Sequence, residues 1–179
     1  TNGTPDIADK DDGARIRRKE SETAMHILGI KDLYFLNEVE GSTEMQKKTV
    51  PTLVHILKNI QPDLIYLPWF GENHADHIKI NRIFIDLVGY LEKECLIYAY
   101  EVWTPLPPNT IVDIGSVFDK KMLALKCFTS QLKHNDYRRI IEGLNSYNTR
   151  YCLNGTSYAE AFLSASAYTY REWVRSFLC

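Results

Sequence analysis

"LIYLPWFGENHADH", residues 64–77, decides the reading of this 179-residue chain. Leu64, Ile65, Tyr66 and Leu67 form a short continuous apolar run, which predicts a buried strand. After a glycine-containing loop come two of the five histidines, His74 and His77, three positions apart with Asp76 between them. Ile80, Phe84, Leu87, Val88 and Leu91 then recur at i, i+4, i+7, i+8 and i+11, so an amphipathic helix starting at Asp76 or His77 is expected. The loop between the carboxyl end of a buried strand and the next helix is where α/β proteins build their sites.

The same alternation extends in both directions. A loop is expected over 2–13 and a helix over 15–28, with Ala24, Ile27 and Leu28 on its apolar face and Gly29 as its C-cap. Residues 33–36 read as a second buried strand. A helix capped by Ser42 or Thr43 runs to about residue 59; Val50, Leu53, Val54 and Leu57 have helical spacing, and Pro51 either kinks it or marks its first turn. Downstream, strands are expected at 96–102 and 111–114, with a turn at Pro105, Pro107 and Pro108. Helices follow at 116–131 and 135–147, then a short helix or turn at 158–162; the tail from Ala165 fits no single element. Apolar strands between amphipathic helices predict an α/β fold, a mostly parallel sheet covered on both faces. No linker or repeat interrupts the chain, so one domain spanning 1–179 is expected.

Composition sets the outer bounds. With 45% hydrophobic and 25% charged residues the chain is an ordinary globular protein. A net charge of −2 gives no reason to expect nucleic acid or an anionic membrane as partner. No apolar run approaches the roughly 18–20 residues of a membrane span. The four cysteines show no CxxC spacing; they read as reduced residues, Cys127 as part of the core, which favours a cytoplasmic location. Two Asn-Gly-Thr tripeptides, at Asn2 and Asn154, match the glycosylation pattern and carry no weight without a sign of secretion.

Neutral imidazole is the commonest protein ligand for zinc-like metals, and two histidines at a strand-to-helix turn can face one crevice. Asp76 could fix a ring tautomer, or favour an imidazolium at His74 if the two touch. The competing reading makes one histidine a helix cap and leaves the other solvated. A catalytic zinc usually has three protein ligands, and His26, His55 and His134 fall in or beside expected helices, so the metal site reads as half present. Trp69 and Phe70 either stack on a sugar or pack in the loop; Asn73 either contacts substrate or makes a turn. Glu101 and Trp103 are placed to line the crevice. Asp113 reads as a strand-end cap, Tyr158 and Glu160 as structural, and Lys120 and Lys121 as a solvated charge pair.

"PDLIYLP" followed by "HADH" resembles the PIG-L/LmbE family of metal-dependent N-deacetylases. "TNG" at the start fits, as does "RRKESETAMHILGI", in which Arg17, Glu20, Ala24, Leu28 and Gly29 match an Arg-x-x-Glu-x-x-x-Ala pattern leading into Leu-Gly. "EVWTPLPPNTIVDI", "KMLALKCFTSQ" and "YAEAF" look like bacterial members. The resemblance implies a Rossmann-like three-layer fold and removal of the acetyl group from N-acetylglucosamine-type conjugates, the substrate being a small-molecule or lipid-linked amino sugar. It implies zinc, or another divalent metal, held by two histidines and an aspartate. His77 would be a metal ligand and His74 the acid or oxyanion donor, with Asp76 in support. Arg17 would bind the sugar, with Arg18 as the alternative; Asn73 and Glu101 are the other substrate-binding candidates. One motif departs from the pattern. The family carries Ala-His-Pro-Asp-Asp-Glu after its first strand, supplying the other ligands and the general base, and no such motif occurs here. The first strand, first helix and second strand would precede Thr1. Either the chain begins downstream of them or it is a degenerate member; the polar Asn-Gly start favours the first. "TPDIADKDDG" reads as a substrate-side loop. The alternatives to an enzyme are a carbohydrate-binding relative that has lost the metal, and a metal-free α/β binding domain.

Overall fold

The computed structural model describes residues 10–38, 45–153 and 155–178. In chain order the elements are α1 (Lys10–Leu28), α2 (Met45–Ile60), β1 (Leu64–Pro68), α3 (Ala75–Leu87), β2 (Leu96–Tyr100), β3 (Thr110–Asp113), α4 (Phe118–Leu125), α5 (Thr129–Leu132), α6 (Tyr137–Asn148), β4 (Ala159–Ser166) and α7 (Ala167–Leu178). The strand order is β1-β2-β4-β3. The chain folds as two compact units, the first made of Thr1–Glu40 and Ile111–Glu160, the second of Gly41–Thr110 and Ala161–Cys179.

In the second unit β1 and β2 are parallel, Leu64 opposite Leu96 and Pro68 opposite Tyr100. β4 runs antiparallel to β2, Leu96 opposite Ser166 and Tyr100 opposite Phe162, so the expected mostly parallel sheet carries an antiparallel strand. The strand period of two sends Leu67, Ile97 and Ala99 to one face, where they meet Phe84 of α3, Val88 just beyond it, and Tyr170 and Val174 of α7. Burial of each large apolar side chain there contributes about 1.5–3 kcal/mol. α2 lays Val50, Leu53, Val54 and Leu57 against Ile83 and Leu87 of α3. The opposite sheet face carries an aromatic row: the Tyr66, Tyr98 and Phe162 rings lie 5.2–5.7 Å apart.

In the first unit α1 packs on α4 and α5. It ends in a Schellman motif: Gly29, at φ +81°, donates to the His26 carbonyl at 3.1 Å, and Ile30 donates to Met25 at 2.9 Å. Lys120 adds its ammonium to the Leu28 carbonyl. Ala24 is fully buried, as its place in the motif suggested. Phe118 and Tyr158 stack with ring centroids 3.5 Å apart.

Several expectations are corrected. Residues 33–36 form no strand. An apolar run becomes a strand only where a partner ladder takes up its backbone hydrogen bonds. Residues 10–13, expected in a loop, extend α1 by a turn; the rest of that loop lies outside the described residues, as do Ser42 and Thr43. Pro51 sits within α2. The helix expected over 116–131 breaks between α4 and α5. Of residues 158–162, expected as a helix or turn, 159–162 form the first half of β4, and the tail beyond β4 becomes α7. Lys121 is not simply solvated: its ammonium bonds Asn145 and Glu160, which gives Glu160 the structural role expected of it. Cys127 is half-buried; among the described residues the cysteine in the core is Cys95.

Candidate metal-binding and catalytic site

The site is built on the second unit, where β1 gives way to α3. The chain leaves β1 through Trp69, whose N–H donates to the Tyr100 carbonyl at 2.9 Å and so continues the β1–β2 ladder by one residue. The Trp69 indole then donates to the Thr104 carbonyl at 2.8 Å, and its ring packs against Phe70 on the edge of the core. Loop packing, one of the two readings of Trp69 and Phe70, is therefore what the structure shows. Gly71 is required here, because a methyl group at that position would overlap the six-membered ring of Trp69. Gly71→Ala is expected to cost about 1–3 kcal/mol, since an anchored indole must shift. Urea denaturation would show this, and an unchanged midpoint would mean that the ring relocates freely.

The next residue, Glu72, was missed in the sequence and is central in the structure. It is 3% exposed. One carboxylate oxygen accepts from the N–H groups of Val102, Trp103 and Thr104 at 2.7, 3.0 and 3.1 Å. The other faces Nδ1 of His77 at 3.2 Å. Burial alone would raise the Glu72 pKa, but the bonds from Val102, Thr104, His77 and Trp103 outweigh it, so the group sits below its ordinary 4.5. An ionised carboxylate acts only as an acceptor, so the proton on this side of His77 lies on Nδ1. Nε2 is left with its lone pair, the state required of a metal ligand whose other nitrogen is held by a carboxylate.

His74 is locked in the opposite tautomer. It is the N-cap of α3, and its Nδ1 accepts from the Asp76 N–H at 3.2 Å. A backbone amide can only donate, so Nδ1 carries the lone pair and the proton lies on Nε2. His74 therefore presents an N–H, and His77 a lone pair, from rings whose centroids are 4.8 Å apart. The capping reading of the pair is correct for His74. Asp76 acts on His74 through its backbone, while its carboxylate lies 3.6 Å from Lys79.

A second support lies beneath. Asn81 is fully buried, and its amide donates to the carbonyls of Pro68 at 2.8 Å and His77 at 2.9 Å. Its oxygen accepts from the Tyr170 hydroxyl at 2.8 Å. Burial pushes that phenol well above its ordinary range, despite an opposing bond from the Phe70 backbone, so it stays a neutral donor. The end of β1, the first turn of α3 and the first turn of α7 are thus tied through one amide.

Of the other candidates, Asn73 is exposed in the loop before α3. Glu101 accepts from the Leu106 N–H at 3.1 Å and braces its own loop. Trp103 contributes its backbone to Glu72. Asp113 caps the end of β3, accepting from Gly115 and Thr156. Arg17 belongs to the first unit, 3.6 Å from Glu20 and facing the Gln131 amide. Glu20 is buried and accepts from the Ser130 N–H, the Ser130 hydroxyl and the Thr129 hydroxyl. Burial would raise its pKa, yet these bonds and the Arg17 charge bring it below 4.5.

Glu72 and Glu20 are buried carboxylates that contribute to acid stability. Each has a lower pKa folded than unfolded, so each stabilises the fold above the unfolded value and loses that contribution as pH falls through the folded one. The melting temperature should hold from neutral pH down to about 5 and then drop, and Glu72→Gln with Glu20→Gln should flatten the drop. Calorimetry across this range checks it; an equally steep fall in the double variant would place the acid-sensitive groups elsewhere.

A family model described as "PIG-L: GlcNAc-PI de-N-acetylase" matches residues 1–88, a span that contains Arg17, Glu20, Glu72 and the His74–His77 turn and closes at the end of α3. Residues 1–88 match the PIG-L family. The fold agrees with this PIG-L assignment. An N,N'-diacetylchitobiose deacetylase from Pyrococcus horikoshii superposes with a TM-score of 0.78 at 24% identity, over 94% of this chain and 70% of that one. The conserved protein TT1542 from Thermus thermophilus gives 0.67 at 21%, over 91% and 74%. GalB, the 4-carboxy-2-hydroxymuconate hydratase of Pseudomonas putida, gives 0.63 at 22%, over 91% and 76%. At these identities the neighbours establish the fold. That one is named a deacetylase and another a hydratase shows why the reaction must be argued from the site.

Proposed function

We propose that this chain provides part of the active site of a metal-dependent N-deacetylase, which hydrolyses the acetamide of an N-acetylglucosamine-type conjugate to the amine and acetate. The observation that carries the reading is the pair of opposite tautomers: His77 oriented by buried Glu72, and His74 fixed by its cap.

The donor chemistry fits zinc or another divalent ion at His77 Nε2. The described residues contain no group of three or more histidine, cysteine, aspartate or glutamate side chains able to hold a metal. The family pattern assigns the other ligands, and the aspartate base, to a segment ahead of the Thr-Asn-Gly stretch. When bound, the metal supplies a Lewis acid and a water acidified toward a pKa of about 7. This chain's own contribution is positional and electrostatic. Glu72 and Asn81 hold His77 in place. His74 Nε2–H donates to the acetamide oxygen as negative charge develops on it, an interaction worth roughly 3–4 kcal/mol in a transition state. Arg17 is assigned to the sugar through the motif it matches. The substrate is a small-molecule or lipid-linked amino sugar and the setting cytoplasmic; among the described residues no helix is long and apolar enough to cross a membrane.

The test uses protein made from the complete reading frame. Roughly one metal ion per chain, lost in His77→Ala, together with acetate release from N-acetylglucosamine conjugates, is the expected result. Metal binding without acetate release, but with hydration of an unsaturated dicarboxylate, would transfer the site to the hydratase reading. A chain with no metal and no turnover, but measurable affinity for amino sugars, would make it a binding relative.

A further inference from the structure

Pro68 closes β1 and His77 lies in the first turn of α3, so these two residues bracket the loop that carries Glu72 and His74. The Asn81 amide donates to both of their carbonyls, which engages both of its N–H groups. Its oxygen accepts from the Tyr170 hydroxyl at 2.8 Å, and the backbone of Phe70, inside the loop, bonds the same hydroxyl. Asn81 and Tyr170 are both fully buried, so solvent does not stand by to replace a missing partner. A buried amide oxygen stripped of its donor carries a desolvation penalty. The amide relieves it by turning about its soft terminal torsion, which takes its N–H groups away from Pro68 and His77. Both ends of the loop are then released together. The Tyr170 ring has a different job. It packs against Phe70 and Phe84 with centroids 5.6 and 5.7 Å away, contacts that a phenylalanine would keep.

We infer that the Tyr170 hydroxyl is a positioning group for His77, acting through the Asn81 amide, so that α7 must be docked for His77 to keep the Nδ1–H tautomer that Glu72 imposes. Its bearing on catalysis rests on the deacetylase function proposed for the site. The tautomer itself does not, because it is read in metal-free protein without turnover.

Heteronuclear NMR of the histidine rings tests it, in protein made from the complete reading frame and freed of metal by a chelator, with His77→Gln identifying the His77 signals. Wild type should show the Nδ1–H form of His77 alone. Tyr170→Phe keeps the ring, so the variant should fold, which circular dichroism verifies; it should show the Nε2–H form as well. Asn81→Ala should do the same, and adding Tyr170→Phe to it should change nothing further, because the hydroxyl acts through that amide. Val174→Ala opens a cavity under the same helix and measures plain destabilisation. It should lower the melting temperature and leave the His77 signals alone. Zinc affinity, by calorimetric titration, should fall about tenfold or more in Tyr170→Phe and hold in Val174→Ala. A His77 ring unchanged in Tyr170→Phe, or disturbed equally by Val174→Ala, would overturn the assignment. A ring that responds as expected in a protein that takes up no zinc would uphold the positioning role and sink the metal-dependent function.

Discussion

Glu72→Ala is expected to lower the stability of the chain by about 3–5 kcal/mol, a fall of roughly 10 °C in melting temperature for a protein of this size. The magnitude follows from what the carboxylate leaves behind. The amides of Val102, Trp103 and Thr104 all converge on it. Each buried donor stranded without an acceptor costs about 1–3 kcal/mol, and water entering the space recovers part of the total. His77 simultaneously loses the acceptor that fixes its tautomer, so metal affinity should fall even in molecules that remain folded, by about 10–100-fold. Glu72→Gln separates the two effects. Its side-chain oxygen can still accept from the loop, but its NH₂ opposes further donors, so stability should fall less while the control of His77 is lost. Hydrogen exchange gives the direct check: the amides of residues 102–104 should become fast in Glu72→Ala. If they stay protected and the melting temperature holds, the carboxylate does not organise this loop.

Substitution of His74 offers the other large effect and allows its two jobs to be pulled apart. As N-cap it stabilises α3; as an Nε2–H donor it would serve the proposed deacetylation. Asparagine is among the best N-caps but has no group equivalent to the imidazole Nε2–H. His74→Asn should therefore keep the melting temperature and lose about 10²–10³ in kcat, the usual result of deleting one oxyanion donor. His74→Ala should lose the same activity and a further ~1 kcal/mol of stability. Acetate release by the complete protein, measured beside thermal melts, distinguishes them. Wild-type turnover in His74→Asn would reduce the residue to a cap.

What could be read from the sequence was whatever depends on near neighbours. Leu64–Pro68 and Leu96–Tyr100 are strands because short runs of leucine, isoleucine and tyrosine have one good solution, burial in a sheet. Gly29 and the apolar stripe of α3 likewise announced themselves. The misses depend on partners far along the chain. Residues 158–162 read as a short helix or turn, yet antiparallel pairing with β2 makes Ala159–Ser166 a strand, tertiary context overriding propensity. Residues 33–36 have the composition of a strand and no ladder to join. At the site, His74 and His77 stood out by spacing. Glu72 and Asn81 did not, because nothing local shows that a glutamate in a loop will accept from amides 30–32 residues away, or that an asparagine within an apolar stripe will meet a tyrosine 89 residues later.

Glu72 grips the following loop only through main-chain N–H groups and is indifferent to the side chains at 102, 103 and 104. Those three positions are consequently open to drift. A lineage can trade valine, tryptophan and threonine for other residues, changing what the loop displays, while the path of the loop and the aim of His77 stay the same. One substitution is barred: proline at any of the three removes an amide from the carboxylate. The prolines of this segment, Pro105, Pro107 and Pro108, begin one residue beyond the last gripped amide.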